Sequence, residues 1–267
     1  MPMSFADAAQ AQVHSATSVP APREESGAMQ DALAGLAEVE RATAELYRVV
    51  DGFDLASVRE PSLLPGWSRA HVMTHLARGA DALLNLLTWA KTGVEHPMYL
   101  SMADREADIA EGGARPPTLL RADLDAASQR LAAAIRDLPA TAWEAEVAHP
   151  VKGPILAGRV PWMRLGEVWV HLVDLDAGFG FADVPEDLHE LLLNEAVGVY
   201  ADREGVPPVR LEVALPDGRQ RTWELPAGAG SDAPVISGGA AEVIGWLTGR
   251  GDGSGLEGRV PTLPRWL

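Results

Sequence analysis

The sequence predicts a mainly α protein: a bundle of long helices followed by a small α+β unit. Three observations carry that expectation. Apolar residues recur at helical spacing through several long stretches before residue 205, as in "MQDALAGLAEVERATAELYRVV". Beyond Gly205 the pattern changes to alternating runs, "VRLEVALPDGRQRTWEL", on either side of Asp217-Gly218, a strong short-range hairpin signal. No stretch approaches the ~20 consecutive apolar residues of a membrane span, so the apolar helix faces must be buried against one another.

Residues 1–28 are small and polar, interrupted by prolines, and lack the basic start and apolar run of a secretory signal. They are expected to form a mobile leader with His14 in solvent. Met29–Val50 places Leu33, Leu36, Ala37, Ala44 and Tyr47 on one helical face. "DGFDLASVREPSLLPGW" then reads as a connection with a short helical turn. Ser68 is a good N-cap for "RAHVMTHLARGADALLNLLTWAKTG", which Gly93 closes. "HPMYLSMADREADIAEGGARPP" is a loop with a short helix, and "TLLRADLDAASQRLAAAIRDLP" a long helix capped by Thr118 and stopped by Pro139.

"TAWEAEVAHPVKGPILAGRVP" reads as a loop or small ribbon, and Pro161 to Asp176 as the next helix. "VPEDLHELLLNEAVGVYADREG" makes a further helix with Pro185 in its first turn. After the hairpin, "APVISG" is a strand and "GAAEVIGWLTGR" a short helix closed by Gly249. The expected organisation is therefore a leader at 1–28, a helical bundle at 29–204 and a small α+β domain at 205–267.

Composition narrows the chemistry. A net charge of −16 and a pI near 4.8 argue against nucleic acid or an anionic membrane as partner. With no cysteine in the chain, disulfides, Cys-ligated zinc and a protein thiol nucleophile are excluded. Any thiol chemistry must use a thiol from outside. Lys91 and Lys152 are the only lysines among many arginines, which hints at a GC-rich bacterial genome. The cytoplasm is the expected location. The oligomeric state is left open, a monomer being compatible with everything above.

"GEVWVHLVDLDAG" carries Glu167 and His171 one helical turn apart on an otherwise apolar helix. The helix after Ser68 carries His71 and His75 at the same spacing. One histidine of that pair, with Glu167 and His171, would make a two-His, one-carboxylate set that leaves open positions for water or substrate. His75 lies deeper in the helix and is the better ligand; His71, near the cap, is better placed for a structural role. These donors suit zinc, iron or another divalent ion without choosing among them. His96, His149 and His189 are expected to be structural, the last on a charged surface. Asp174 could orient a ligating histidine, although its place near the helix end favours a cap or surface position. Trp67, Trp162 and Trp169 are expected to seal the core.

Taken together, "LLPGWSRAHVMTHLARGADAL", "MRLGEVWVHLVDLDAG", "WLTGR" and the terminal "LPRWL" resemble the mycothiol-dependent maleylpyruvate isomerase family. The similarity runs in order from Ala32 to Leu267. It implies a DinB-like metal-binding four-helix bundle and a C-terminal domain resembling sterol-carrier-protein folds. It also implies His75, Glu167 and His171 as ligands of a divalent metal, zinc first among the candidates. Mycothiol, the low-molecular-weight thiol of actinobacteria, would be the thiol cosubstrate for a small-molecule substrate. The resemblance implies an arginine contributed by the C-terminal domain to the cleft, for which Arg250 is the candidate; Arg105 is a second possible carboxylate-binding residue. The implied reaction is cis–trans isomerisation of maleylpyruvate to fumarylpyruvate through a thiolate adduct. A mycothiol S-transferase or thiol-exchange enzyme acting on an electrophile shares the first step. A non-catalytic protein binding a metal or an apolar ligand is the remaining alternative.

Overall fold

The computed structural model describes residues 27–230 and 232–266; the expected leader, with His14, lies outside them except for its last two residues, which open the first helix. Helix α1 spans Gly27–Val50 and α2 spans Arg69–Thr92. Ser68 is the extended N-cap of α2, and Gly93, at φ 70°, is its left-handed C-cap. The short α3, Met102–Gly112, is capped by the Ser101 side chain. Helix α4 covers Pro117–Arg136. Thr118 therefore sits inside its first turn and does not cap it, because a proline at the first helical position needs no N–H partner.

Strands β1 (Glu146–His149) and β2 (Gly153–Leu156) realise the small ribbon, paired antiparallel. Helix α5, Val160–Asp174, ends before Asp176, whose φ of 48° places it in the left-handed region that aspartate tolerates better than most residues. The single helix expected after Val184 is shorter than its sequence pattern: Glu186–Leu188 forms a 3₁₀ turn and α6 covers only His189–Gly198.

Helices α1, α2, α4 and α5 form the four-helix bundle, with α2 against α4 and α5, and α1 against α5 and α4. Its core is built from Leu36 and Leu46, Met73, Leu76 and Leu86, Leu124 and Leu131, and Leu165, Val168 and Leu172. Each such side chain contributes about 1.5–3 kcal/mol through burial. Arg69 fixes the start of α2 to the end of α5, donating from Nε to the Leu175 carbonyl at 2.6 Å and from Nη2 to that of Asp176. It thereby meets carbonyls that the end of α5 leaves unpaired.

Beyond α6 lie β3 (Val209–Ala214), β4 (Gln220–Leu225), β5 (Val235–Gly239), helix α7 (Ala240–Leu247) and the two-residue β6 (Glu257–Gly258). The sheet order is β4-β3-β5-β6. β3 and β4 form the expected hairpin, with Leu211 opposite Trp223 and Gly218 at φ 84° in the turn. β5 runs parallel to β3. The buried Val209, Leu211 and Val213 share a core with Val243, Ile244 and Leu247 of α7, and α6, read from sequence with the helical part, also packs on α7. Among the described residues no helix is long and apolar enough to cross a membrane.

Candidate metal centre

The site is set by how α5 lies against α2. Arg164, one turn before Glu167 on α5, is fully buried and donates from Nη1 to the Leu76 carbonyl of α2 at 2.7 Å. This tie fixes the two helices so that His75, on α2, faces Glu167 and His171, on α5. Burial lowers the Arg164 pKa to about 10, against the opposing pull of Glu167, so it remains a cation at neutral pH.

His75 Nε2 and His171 Nε2 are 2.9 Å apart. The Glu167 Oε2 atom is 3.2 Å from the first and 3.4 Å from the second. Among the described residues these three form the group able to hold a metal ion. Such spacings are those of donor atoms that each lie about 2.0–2.2 Å from one small divalent ion. The donor set, two imidazoles and one carboxylate, fits that role and leaves coordination positions free. Both histidines are buried, whereas the Glu167 side chain is 37% exposed, so the centre opens on the glutamate side.

The two rings differ electrostatically. Burial, reinforced by the charge of His171, lowers the His75 pKa to about 4. Burial also opposes charge on His171, but hydrogen bonds to Asp174 and Glu167 outweigh it and raise its pKa. For Glu167 burial pushes upward, and the hydrogen bonds from His171 and His75 win, holding the carboxyl well below its ordinary range. A neutral His75 and an ionised Glu167 are the forms a metal ligand requires.

Around the three donors the contacts are equally unlike. His171 Nδ1 lies 2.7 Å from Asp174 Oδ2. Asp174 is wholly buried and does not lie at the surface or act as a simple cap; its i,i+3 spacing from His171 put it within reach. Arg250 sits not on an open cleft but on this carboxylate, with Nε 2.8 Å from Oδ1 and Nη2 2.7 Å from Oδ2. On the other side, Arg105 Nη2 is 3.1 Å from His75 Nδ1, and its guanidinium lies over the Tyr99 ring, 5.6 Å from the centroid. Trp67 meets His75 edge-on at 5.6 Å.

The remaining histidines stay out of the donor set. His71 Nδ1 accepts from the Ser68 backbone N–H at 3.1 Å, so it helps cap α2. His71 packs against Gly113, where a side chain would strike its ring. His149 Nδ1 accepts from the backbone N–H groups of Val151 and Lys152, closing the β1–β2 turn. His96 lies half-buried in the loop after α2. His189, expected on a charged surface, is buried, with Nε2 donating to the Phe181 carbonyl at 3.1 Å.

A cavity of about 290 Å³ is lined by Trp89, Glu95, Met98, Tyr99, Met102 and His149 among others; it shares Tyr99 with Arg105 but is lined by none of the three donors. A larger cavity of about 690 Å³ involves Arg48, Phe53, Trp169 and Phe179. It contains none of the three donors, because Trp169 is two residues from each α5 ligand and so on the opposite helix face. Trp169, stacked on Phe179, is a core residue as expected. Sequence reasoning missed Arg164 and Tyr99. The i,i+3 spacing to Glu167 was the available signal for Arg164; nothing local marks Tyr99.

Residues 39–176, which contain all three donors, match the family model of the mycothiol maleylpyruvate isomerase N-terminal domain. The chain is also similar to the crystal structure of mycothiol-dependent maleylpyruvate isomerase, with 34% identity and a TM-score of 0.79, over 89% of this chain and 99% of that one. A histidine-to-alanine mutant of that enzyme matches over the same shares at 33% identity, again with a TM-score of 0.79. No curated protein gives a significant match.

Proposed function

The chain belongs to the mycothiol-dependent maleylpyruvate isomerase family, and on that premise we propose that it is a metal-dependent enzyme acting with mycothiol. The proposed reaction is cis–trans isomerisation of maleylpyruvate. The observation that carries this reading is the convergence of His75 Nε2, His171 Nε2 and Glu167 Oε2 within 3.4 Å of one another in a chain that has no thiol of its own.

His75, Glu167 and His171 would hold the metal, with zinc the first candidate. A divalent ion held there would lower the pKa of a thiol so that the thiolate is available at neutral pH. The protein's residues do the rest. Arg164, buried behind Glu167, keeps α2 and α5 in register. Arg105, beside Tyr99 and the outer nitrogen of His75, would hold a substrate carboxylate and stabilise enolate charge. The thiolate sulfur forms a bond to one alkene carbon while the π electrons move to the conjugated carbonyl oxygen. The former double bond then rotates. Return of the electrons expels the thiolate, so the trans isomer leaves and the thiol is unchanged. We assign metal and thiol chemistry to the bundle, 29–204, and a supporting role to the C-terminal unit, 205–267.

One observation favours a second reading. The cavity that shares Tyr99 with Arg105 carries Trp89, Met98 and Met102 on its wall, while Arg164 and Arg250 are held by Leu76 and Asp174. These apolar wall residues suit an electrophile with an apolar body, on which a mycothiol S-transferase would act. Incubation of the metal-loaded protein with mycothiol and maleylpyruvate tests the first reading. Turnover to fumarylpyruvate without loss of thiol supports it. Thiol consumed in proportion to an electrophile, with no isomerisation, replaces it by the transferase; a folded protein that takes up no metal refutes both.

A further inference from the structure

Arg250 follows α7 in the C-terminal unit, yet its side chain ends on Asp174, the last residue of α5 in the bundle. Nε and Nη2 grip the two oxygens of Asp174 at 2.8 and 2.7 Å, and Nη1 donates to the Thr248 carbonyl at 2.5 Å. The guanidinium lies against the Trp266 ring, 5.3 Å from its centroid. The Asp174 side chain is 0% exposed and that of Arg250 9%. A two-pronged guanidinium–carboxylate pair of this kind fixes orientation as well as distance. The same Asp174 Oδ2 that Arg250 holds also receives His171 Nδ1. Arg250 is thus committed to an internal carboxylate and is not free to hold one on a substrate.

We infer that Arg250 is a positioning residue: by holding the Asp174 carboxylate in place it fixes the proton of His171 on Nδ1. Nε2 is thereby the nitrogen that faces Glu167 and His75 and is available to a metal. Carboxylate partners of this type set the tautomer and ring orientation of metal-ligating histidines. The further step here is that the C-terminal unit supplies the residue that holds the carboxylate, so a site whose three donors all lie in the bundle is completed from outside it. The inference rests on the metal-binding reading above.

The test uses the full chain, stripped with a chelator and titrated with zinc or cobalt(II). Arg250→Gln and Asp174→Asn are expected to weaken metal binding about 10- to 100-fold and to alter the visible spectrum of the cobalt form, with Arg250→Lys recovering part of the loss. Tyr200→Phe is the control. It removes hydroxyl bonds to the Leu247 and Pro264 carbonyls of the same unit without touching Asp174, and should leave metal affinity unchanged. Histidine ring-nitrogen NMR on the metal-free protein, at a pH above the raised His171 pKa, gives a second readout: the neutral His171 carries its proton on Nδ1 in the wild type and becomes a tautomer mixture in Arg250→Gln. A folded Arg250→Gln protein with wild-type affinity and an unchanged His171 tautomer overturns the inference. If Arg250→Gln does not fold, Asp174→Asn and Arg250→Lys decide by the same readouts. If the wild type binds no metal, the proposed function fails, and the NMR comparison still decides whether Arg250 positions His171.

Discussion

His171 and His75 present chemically identical nitrogens, yet the two sides of the centre that hold them are built in opposite ways. On the α5 side, His171 faces a buried carboxylate, itself gripped by an arginine. On the α2 side, the outer nitrogen of His75 faces the Arg105 guanidinium, which lies over the Tyr99 ring. A carboxylate at Nδ1 leaves Nε2 free to bind a cation. A guanidinium can only donate, so it pairs with a His75 whose proton is on Nε2. Ligation through His75 Nε2 requires that proton to leave and Arg105 to let go of the ring. The α5 side is organised in advance, while the α2 side couples metal binding to an arginine that is then free for an anion.

The largest expected effect tests whether both sides are needed. His171→Ala and His75→Ala should each lose the metal and lower turnover by about 10²–10³-fold or more, the scale seen when a group that stabilises developing charge is removed. Metal analysis and steady-state kinetics check this. Retention of full metal by either variant would remove that histidine from the centre. The comparison sharpens with Arg105→Ala. This change should leave folding intact, since Arg105 is half-exposed. The variant should bind metal no more weakly, because His75 no longer has to part from the guanidinium. Its kcat/KM for an anionic substrate should fall about 10- to 100-fold, the worth of one charge-assisted hydrogen bond. An unchanged kcat/KM would show that the α2 side does not hold the anion.

pH separates the two histidines further. Metal competes with the proton that His171 carries more readily than an ordinary histidine. Affinity should therefore rise about tenfold per pH unit up to its raised pKa and level off above it, as isothermal titration in buffers of different pH would measure. In the metal-free protein the two contributions to stability have opposite signs. His75 titrates near 4 when folded against 6.5 when free. The unfolded chain therefore binds more protons between those values, and stability falls as pH drops through that window. The contribution of His171 is fully present below 6.5 and is lost as pH rises through its raised folded value. Denaturant titrations of the wild type and of His171→Gln across pH 4–8 would resolve the two.

Smaller effects probe how α3 delivers Arg105. Gly113→Ala would drive a methyl group into the His71 ring. An overpacked contact of this kind costs about 1–3 kcal/mol, measured by chemical denaturation, and should weaken substrate binding more than metal binding. His71→Ala should cost about 1 kcal/mol through loss of a helix-capping contact and leave metal affinity unchanged. A drop in affinity would place His71 in the donor set.

Much of this centre is written locally in the chain. The spacing of Glu167 and His171 on an apolar helix, and the position of His75 seven residues after the Ser68 cap of α2, follow from the 3.6-residue period and capping chemistry. The hairpin at Asp217-Gly218 is equally local. What escaped is long-range or set by competing local preferences. Asp174 and Arg250 are 76 residues apart, and no pattern near either announces their pairing. The buried position of Asp174 became visible only when α5 was packed, as did the tie from Arg164 to Leu76. The parallel pairing of β3 with β5 is likewise a matter of topology. The N-cap of α4 is Pro116, two residues before the expected Thr118, because Pro116 and Pro117 outweigh it, and the helix after Val184 is shorter than its pattern because its opening turn winds as 3₁₀.

The central claim is that one divalent ion is held jointly by the two unlike sides. Anomalous diffraction at the zinc absorption edge, on crystals of the full chain grown with zinc, tests it most directly. The account predicts one strong anomalous peak about 2.0–2.2 Å from His75 Nε2, His171 Nε2 and a Glu167 carboxylate oxygen, lost in His171→Ala crystals. A peak elsewhere, or none between these three residues in zinc-saturated crystals, would contradict it.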